Sequence, residues 1–249
     1  MPRKYALVTG SGKRIGRDIA DRLAREGYGL ALIAWASLEG ARALAGEIVA
    51  RGGAAEAFAA DLGNPEAAAA TFAGIAAKLG PIELLVNNAA VFETDAITTL
   101  DLAKWRRQFA VNLESPVFLA GAFAAALPED REGCIINIID QRVLRLTPQY
   151  LSYTLTKSAL WTATQTLAQA LAPRIRVNAI GPGPTYPSLN QGEAGMTQEA
   201  AGSLLGRAIR GEEIGDAVVF LAGARNVTGQ IICVDAGQHL AWRTPDIVE

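Results

Sequence analysis

Three residues near the middle of the chain combine side chains that could carry acid–base chemistry. Tyr153 and Lys157 are four positions apart in a helix-like stretch, so their side chains would share one helix face. An ammonium beside a phenol lowers the tyrosine pKa, which makes tyrosine a usable general acid or base. Asp140 follows the apolar run Cys134–Ile139, at the carboxyl end of a predicted strand, where open α/β sheets bind ligands. Alone, a Tyr–Lys pair is more often a solvated helix face.

A glycine-rich turn near the N-terminus has the flanking order that a dinucleotide-binding loop requires. The strand Tyr5–Thr9 precedes the turn Gly10 to Gly16, and helical periodicity begins at Ile15. The glycines would let the backbone approach a pyrophosphate, and the helix N-terminus would face its negative charge. The alternative is a simple strand-to-helix turn.

The end of the second predicted strand indicates which nucleotide would bind. Sites that prefer NAD usually have an acidic residue there, which holds the ribose 2′-hydroxyl. The strand Gly29–Ala34 is followed instead by Trp35, Ala36 and Ser37. Lys13 in the glycine loop and the Ser37 hydroxyl could both meet a 2′-phosphate. The sequence therefore favours NADP(H) over NAD(H).

Strand-like and helix-like segments alternate along the whole chain. This alternation predicts a single α/β domain over residues 1–249, with a doubly wound, Rossmann-type parallel sheet of seven strands flanked by helices. Residues 186–210 have weak periodicity and several glycines, so we expect a mobile segment over the site, with one or two short helices. The predicted strands are Tyr5–Thr9, Gly29–Ala34, Ala54–Ala60, Ile82–Val86, Cys134–Ile139, Ile175–Ile180 and Gln230–Val234.

The composition argues against several classes of protein. The chain has 249 residues, 50% of them hydrophobic, with 23 basic and 25 acidic side chains. This balance gives no sign of a nucleic-acid partner, and no uninterrupted apolar run is long enough to span a membrane. The N-terminus enters a strand without a signal peptide, which indicates a cytoplasmic protein. Cys134 and Cys233 are expected to be buried and reduced, and the single histidine, His239, argues against a histidine triad or metal site.

Taken together, these motifs resemble the short-chain dehydrogenase/reductase family over nearly the whole chain. The resemblance implies that Tyr153 transfers the proton, that Lys157 binds the nicotinamide ribose and lowers the Tyr153 pKa, and that Asn112 holds a relay water. The motifs that carry it, in family order, are the Thr9-Gly10 loop, Asp61, Asn87-Asn88-Ala89, Asn112, Tyr153 with Lys157, Pro182-Gly183, and Thr228-Gly229-Gln230 to Val234-Asp235.

The resemblance also implies a cofactor site and an assembly. Asp61 would contact the adenine, Asn88 would lie along the cofactor, and a homotetramer or homodimer is expected. Asp61 could instead be a helix cap, Asn112 a buried polar group that kinks its helix, and Thr185 an ordinary turn residue. The residues expected to bind the cofactor are Gly10, Lys13, Arg14, Ile15, Gly16, Ser37, Asp61, Leu62, Asn88, Ala89, Tyr153, Lys157, Pro182, Gly183 and Thr185.

Two departures from the usual family pattern point to one branch. The family normally has glycine at the position of Arg14, and its substrate-orienting serine at the position of Asp140. Ser152 is not that serine, because it would face another side of its helix. Both changes resemble the pteridine reductase branch, which includes dihydromonapterin reductases and has an aromatic residue at the position of Phe92. Ala36 does not match, since this branch usually has a basic residue there.

The chemistry of an aspartate at this place leaves three hypotheses open. An ionised carboxylate cannot donate a hydrogen bond to a ketone oxygen, but it can accept from the N–H groups of a pterin. We therefore expect a reductase with a dihydropterin-type substrate, which would contact Phe92, Asp140 and Tyr153. The alternatives are a carbonyl or 3-oxoacyl-type reductase, in which Asp140 is tolerated, and a non-enzymatic dinucleotide sensor.

Overall fold

The seven predicted strands pair in one parallel sheet in the computed structural model, which describes residues 3–187 and 192–242. Their order in the sheet is β3-β2-β1-β4-β5-β6-β7, which confirms the doubly wound topology. The strands are β1 (Tyr5–Thr9), β2 (Gly29–Ala34), β3 (Ala54–Ala59), β4 (Ile82–Asn87), β5 (Gly133–Ile138), β6 (Ile175–Pro182) and β7 (Ile231–Val234).

Helices cover both faces of the sheet, and each face has its own apolar core. Central strands such as β2 and β5 are buried along their whole length, which explains their mostly apolar sequences. On the second face, the Phe72 and Phe123 rings meet edge to face, with their centroids 6.0 Å apart. One face is covered by α1 (Arg14–Arg25), α2 (Leu38–Ala50) and α8 (Gly211–Gly223), and the other by α3 (Pro65–Leu79), α5 (Ser115–Ala126) and α6 (Leu151–Leu171).

The strand order reverses between β1 and β4, and this reversal positions the site. From β1 the chain continues to β2 and β3 on one side, and from β4 it continues to β5, β6 and β7 on the other side. The loops that follow β1 and β4 therefore lead away from each other and leave a crevice between them. The glycine turn follows β1, and the Asn88 loop follows β4. The carboxyl end of β5, which carries Asp140, lies beside them.

The stretch Asp101–Leu127, whose sequence alone predicts one long helical region, is interrupted at Asn112. The structure has α4 (Leu102–Phe109), a π-helical turn over Ala110–Glu114 and then α5. The asparagine side chain bonds outside its own helix, which accounts for the widened turn. Asn64 caps α3, since its Oδ1 accepts from the backbone N–H of Ala67 at 3.1 Å.

One helical stretch in the described residues, Leu102–Ala126, is long and apolar enough to cross a membrane by length and composition alone. Core helices of water-soluble folds pass the same test. Here Leu119, Ala120 and Phe123 are fully buried in the core beneath α3.

The two cysteines differ in burial, which corrects part of the expectation. Cys134 is buried, and burial raises the pKa of its thiol to about 11. Cys233 is only half-buried, because β7 is the edge strand of the sheet. Neither cysteine forms a disulfide. His239 contacts Asp235, with Nδ1 2.6 Å from Oδ2, so it has a local partner near the C-terminal end of the sheet.

Candidate active site

A cavity of about 760 Å³ opens at the carboxyl ends of the central strands. It is lined by every candidate site residue except Lys157 and Asn112, which are buried behind its wall. Tyr186, Met196 and Glu199 also line it, so the segment 186–210 contributes a wall. That segment contains one helix, α7 (Gly192–Ala201), while residues 188–191 lie outside the described part. The candidate residues in the lining are Gly10, Lys13, Arg14, Ile15, Gly16, Ser37, Asp61, Leu62, Asn88, Ala89, Phe92, Asp140, Tyr153, Pro182, Gly183 and Thr185.

The glycine loop is fixed by close backbone contacts. Gly10 has a φ of 66°, and a Cβ at Gly16 would lie 2.2 Å from the Gly10 carbonyl oxygen. Any side chain at either position would push the loop away from the sheet. Helix α1 begins without a side-chain cap, so its first N–H groups remain available to an anion in the cavity.

Arg14 takes a conformation that favours glycine. Its φ is 52°, a left-handed value that costs a non-glycine residue about 1 kcal/mol or more. Its guanidinium donates to the Tyr186 carbonyl oxygen at 3.2 Å and lies 5.6 Å from that ring. The Tyr186 hydroxyl in turn bonds to Asp18. Arg14 therefore links the glycine loop to the segment that follows β6, while Lys13 stays exposed at the rim of the cavity.

Asn88 and Thr9 hold the two loops of the crevice together. The Asn88 side chain donates to the carbonyl oxygens of Thr9 and Gly10, at 2.9 and 3.3 Å. The Thr9 hydroxyl accepts from the backbone N–H groups of Asn88 and Ala89, both at 3.0 Å. The asparagine therefore has a structural role as well as its place in the lining.

Asp61 pairs with a residue that the sequence did not single out. Its Oδ1 lies 2.7 Å from Nη2 of Arg107 and also accepts from the Gly63 N–H at 2.9 Å. The hydrogen bond from Arg107 lowers the Asp61 pKa. The alternative of a helix cap is wrong, because Asn64 caps α3. In the turn after β6, the Thr185 hydroxyl donates to the Gly183 carbonyl oxygen at 3.0 Å, and Thr185 also lines the cavity.

Tyr153, Asp140 and Lys157 come together at the end of β5. The Tyr153 hydroxyl donates to Oδ2 of Asp140 at 3.1 Å. Lys157 is buried, donates to the Ile138 carbonyl at 2.8 Å, and lies 5.7 Å from the centre of the Tyr153 ring. Ser152 faces away, as expected, and bonds to Asp95 and Gln108.

The electrostatics of this cluster differ from the expectation in one respect. We expected Lys157 to lower the Tyr153 pKa, yet burial, followed by the charge of Asp140, raises it well above its ordinary value. The phenol is therefore held neutral. Burial also lowers the Lys157 pKa to about 8, although Asp140 opposes that shift.

Both ends of the Asn112 amide make hydrogen bonds to neighbouring residues. Its Oδ1 accepts from the Val91 N–H at 2.8 Å, and its Nδ2 donates to the Val91 carbonyl at 2.9 Å and to Thr156 at 3.2 Å. This is the geometry of a buried polar group at a helix irregularity. The side chain fixes the loop after β4 against α6.

Phe92 lies in the lining, but one face of its ring is covered. The Tyr150 ring stacks on it at 4.4 Å with an interplanar angle of 16°, and Tyr153 stands nearly perpendicular at 4.7 Å. Tyr150 has a φ of 56°, and its N–H donates to the Asp95 carbonyl at 3.0 Å. The Asp95 carboxylate accepts from the Ser152 N–H and so caps α6 from another loop. At most one face of Phe92 is open to a flat ligand.

Sequence reasoning also missed Arg142, which contacts three of these groups. Its guanidinium lies 3.1 Å from Asp140, 3.4 Å from Glu199 and 5.6 Å from the centre of the Phe92 ring. An Asp followed two residues later by a backbone donor is a common turn, so the backbone contact could have been found. Nothing local indicates where the guanidinium would lie.

The comparisons with known proteins agree with this fold. Residues 10–239 match the family model described as enoyl-(acyl carrier protein) reductase. An uncharacterized oxidoreductase of Methylorubrum extorquens is 37% identical over 94% of this chain and 97% of its own. The 3-oxoacyl-[acyl-carrier-protein] reductase FabG of Staphylococcus aureus is 30% identical over 95% of this chain and 98% of its own. The chain belongs to the short-chain dehydrogenase/reductase family of NAD(P)H-dependent oxidoreductases.

Within the family, the similarity extends to solved structures complexed with NADP. The FolM alternative dihydrofolate reductase 1 of Brucella canis, complexed with NADP, is 48% identical and superposes with a TM-score of 0.95. The match covers 98% of this chain and 97% of that one. This similarity agrees with the branch that Arg14, Asp140 and Phe92 indicated.

Proposed function

We propose that this protein is an NADPH-dependent reductase of a pteridine substrate, of the dihydropterin or dihydromonapterin type. The observation that carries the proposal is the bond from the Tyr153 hydroxyl to the Asp140 carboxylate, at 3.1 Å in the wall of the cavity. This bond places Tyr153, the proposed proton donor, next to Asp140, which would accept hydrogen bonds from N–H groups of the substrate. The 48% identity to an NADP-bound FolM reductase supports the same assignment.

The described residues fit a dinucleotide. The uncapped start of α1 and the Gly10–Gly16 loop would receive the pyrophosphate, and Asp61 with Leu62 would lie at the adenine end. Lys13 and Ser37 would meet the 2′-phosphate. The turn Pro182–Thr185 and Lys157 would hold the nicotinamide end. NADPH supplies a hydride when it is bound there.

The protein's own contribution is the proton and the orientation of the substrate. Tyr153 would deliver its hydroxyl proton to the ring nitrogen that is being reduced, and Asp140 would keep the phenol protonated until then. Lys157 would stabilise the phenolate that remains. Asp140 and the open face of Phe92 would orient a flat, donor-rich ring, and Asn112 would position the loop that carries Phe92.

A carbonyl or 3-oxoacyl-type reductase is the second candidate. The FabG relative at 30% identity favours it, and Arg142 brings hydrogen-bond donors close to Tyr153. Such donors could polarise a ketone oxygen in place of the missing serine. A dinucleotide sensor without turnover is the third candidate, and the complete Tyr153, Lys157 and Asp140 cluster makes it the weakest.

We also propose a homotetramer or a homodimer. Phe118 on α5 and Leu155 on α6 are 47% and 43% exposed, and burial in an interface would remove both from water. The cytoplasmic location stays a prediction from the sequence.

A substrate panel tests the proposed activity. With saturating NADPH, well-folded enzyme should reduce a dihydropterin at a higher kcat/KM than simple ketones or a 3-oxoacyl thioester. Oxidation of NADPH, followed by its absorbance, measures each rate. Turnover of ketones alone would favour the second candidate, and cofactor binding without any turnover would favour the sensor.

The choice of nucleotide rests on Lys13, and its removal should erode the preference for NADPH. A charge-assisted bond to a phosphate is worth roughly 1.5–3 kcal/mol, so wild type should prefer NADPH over NADH by about ten- to a hundredfold. Lys13→Ala should weaken the binding of NADPH and leave the affinity for NADH nearly unchanged. Titration of both nucleotides by tryptophan fluorescence measures this, with Lys78→Ala on α3 as the control. Equal affinity of the wild type for both nucleotides would show that this interpretation of the loop is wrong.

A further inference from the structure

The Arg142 side chain is held at a defined place beside the acid–base cluster. Its backbone N–H donates to Oδ1 of Asp140 at 2.8 Å, and its Nη1 lies 3.1 Å from Oδ2. Its Nη2 lies 3.4 Å from Oε1 of Glu199 on α7. The side chain is only 17% exposed, so its charge is largely shielded from water. Arg142 therefore links Asp140 to the helix that walls the cavity.

The aromatic pair does not by itself hold the guanidinium. The Arg142 head is 5.6 Å from the Phe92 centroid and 5.5 Å from the Tyr150 centroid, while those centroids are 4.4 Å apart. A group nearly equidistant from two stacked rings lies beside the stack and not on one ring face. The two carboxylates therefore determine its position.

Proton donation by Tyr153 would leave two negative charges next to each other. When the O–H bond of Tyr153 breaks and a bond from that proton to a substrate ring nitrogen forms, the phenolate is left 3.1 Å from the Asp140 carboxylate. NADPH provides the accompanying hydride, and solvent later restores the phenol proton. Two adjacent anions would oppose this step. The neutral serine that is usual in the family would not.

Two cationic side chains, Lys157 and Arg142, lie near the Tyr153 and Asp140 oxygens, and they differ in how firmly they keep their charge. Lys157 reaches the cluster from α6, but burial lowers its pKa to about 8, so part of its population is neutral near that pH. Arg142 keeps its charge at every working pH and opposes the rise in the Tyr153 pKa. Glu199, from α7, is a further charged group in contact with Arg142.

We propose that Arg142 is a positioning residue that makes an aspartate at position 140 compatible with proton donation by Tyr153. It fixes the carboxylate and offsets its charge when the phenolate forms. The inference rests on the proposed reductase function, although it applies to a pteridine or a ketone substrate alike. A merely structural role would be to pin the loop after β5 against α7.

A double-substitution cycle separates these roles, because only charge compensation depends on Asp140. Arg142→Gln should lower kcat about tenfold or more, with the NADPH Kd within twofold of wild type. In an Asp140→Asn background, the same substitution should cost less than about threefold, because no carboxylate remains to be offset. Arg142→Lys should keep at least a third of the wild-type kcat. Arg225→Gln, which breaks an exposed ion pair with Glu132, is the matched control.

The measurements are kcat and KM from pH 6 to 10, the NADPH Kd by fluorescence, and Tm. Equal losses of kcat in both backgrounds, or Arg142→Gln within threefold of wild type, would overturn the inference. If Arg142→Gln does not fold, a loss of more than tenfold in Arg142→Lys with normal Tm would overturn it. If ketones but not dihydropterins are reduced, the proposed substrate is wrong and the same cycle is run on the ketone. Absence of turnover on every substrate would overturn both the proposed reductase function and the inference about Arg142.

Discussion

Tyr153→Phe should reduce kcat by about 10²- to 10⁴-fold, the usual contribution of a positioned general acid. The substitution removes the hydroxyl that bonds to Asp140 and keeps the ring that stands against Phe92. Asp140 retains its contacts with Arg142, so the cluster should remain in place. The loss should therefore appear in the proton-transfer step and not in binding. Steady-state kinetics with NADPH and the best substrate of the panel measure it.

The control for this prediction is the same chemical change outside the cavity. Tyr28→Phe alters a half-buried tyrosine next to β2, at the opposite end of the sheet, and should leave kcat within about twofold. NADPH affinity should be close to wild type in both variants. A Tyr153→Phe enzyme within threefold of wild type would remove Tyr153 from the proposed chemistry.

The parts of the fold that local patterns determine could be predicted. The buried strands are mostly apolar in sequence, and the order of strand, glycine turn and helix indicates where a nucleotide could lie. Asn64 before Pro65 is a typical helix start, and it starts α3 here because a capping bond involves only neighbouring residues. The candidate cavity follows from the same logic, since strand ends in a parallel sheet share one edge.

The parts that depend on contacts distant in sequence could not be predicted. The Arg142 head is fixed partly by Glu199, 57 positions later, and no periodicity reports such a contact. The direction of the Tyr153 pKa shift depends on burial, which is a property of the folded chain. The Tyr153–Lys157 spacing alone suggested the opposite direction. Likewise, Cys233 looked like a core residue until its strand proved to be the sheet edge.

Phe92 shows why a motif position does not settle a role. The resemblance placed an aromatic residue there to stack on a pterin, and the structure places it in the cavity lining. Tyr150, held in a left-handed conformation beside Asp95, covers one face. Phe92 therefore packs against the start of α6, and its ligand-binding role stays a proposal. The choice between substrates rests more firmly on Asp140.

Asp140→Ser restores the residue that is usual in the family and should separate the two main candidates for the substrate. On the pteridine hypothesis, the carboxylate accepts N–H groups of the ring, and two hydrogen bonds to a charged group are together worth roughly 3 kcal/mol or more. Turnover of a dihydropterin should therefore fall about a hundredfold. Ketone reduction should stay poor, because Phe92 and the rest of the lining are unchanged. The ratio of kcat/KM for the two substrates is the measurement.

The carbonyl-reductase hypothesis makes the opposite prediction for the same variant. A serine hydroxyl can donate to a ketone oxygen, which the carboxylate cannot, so ketone reduction should be unchanged or rise. Asp101→Ser is the matched control, because Asp101 caps α4 through the Lys104 N–H and serine can cap equally well. That control should keep both activities. If Asp140→Ser leaves dihydropterin turnover intact while ketone reduction rises, Asp140 is not the residue that selects a pteridine. Hydrogen-bond donors near Tyr153, chiefly the Arg142 guanidinium, would then have to polarise the ketone oxygen.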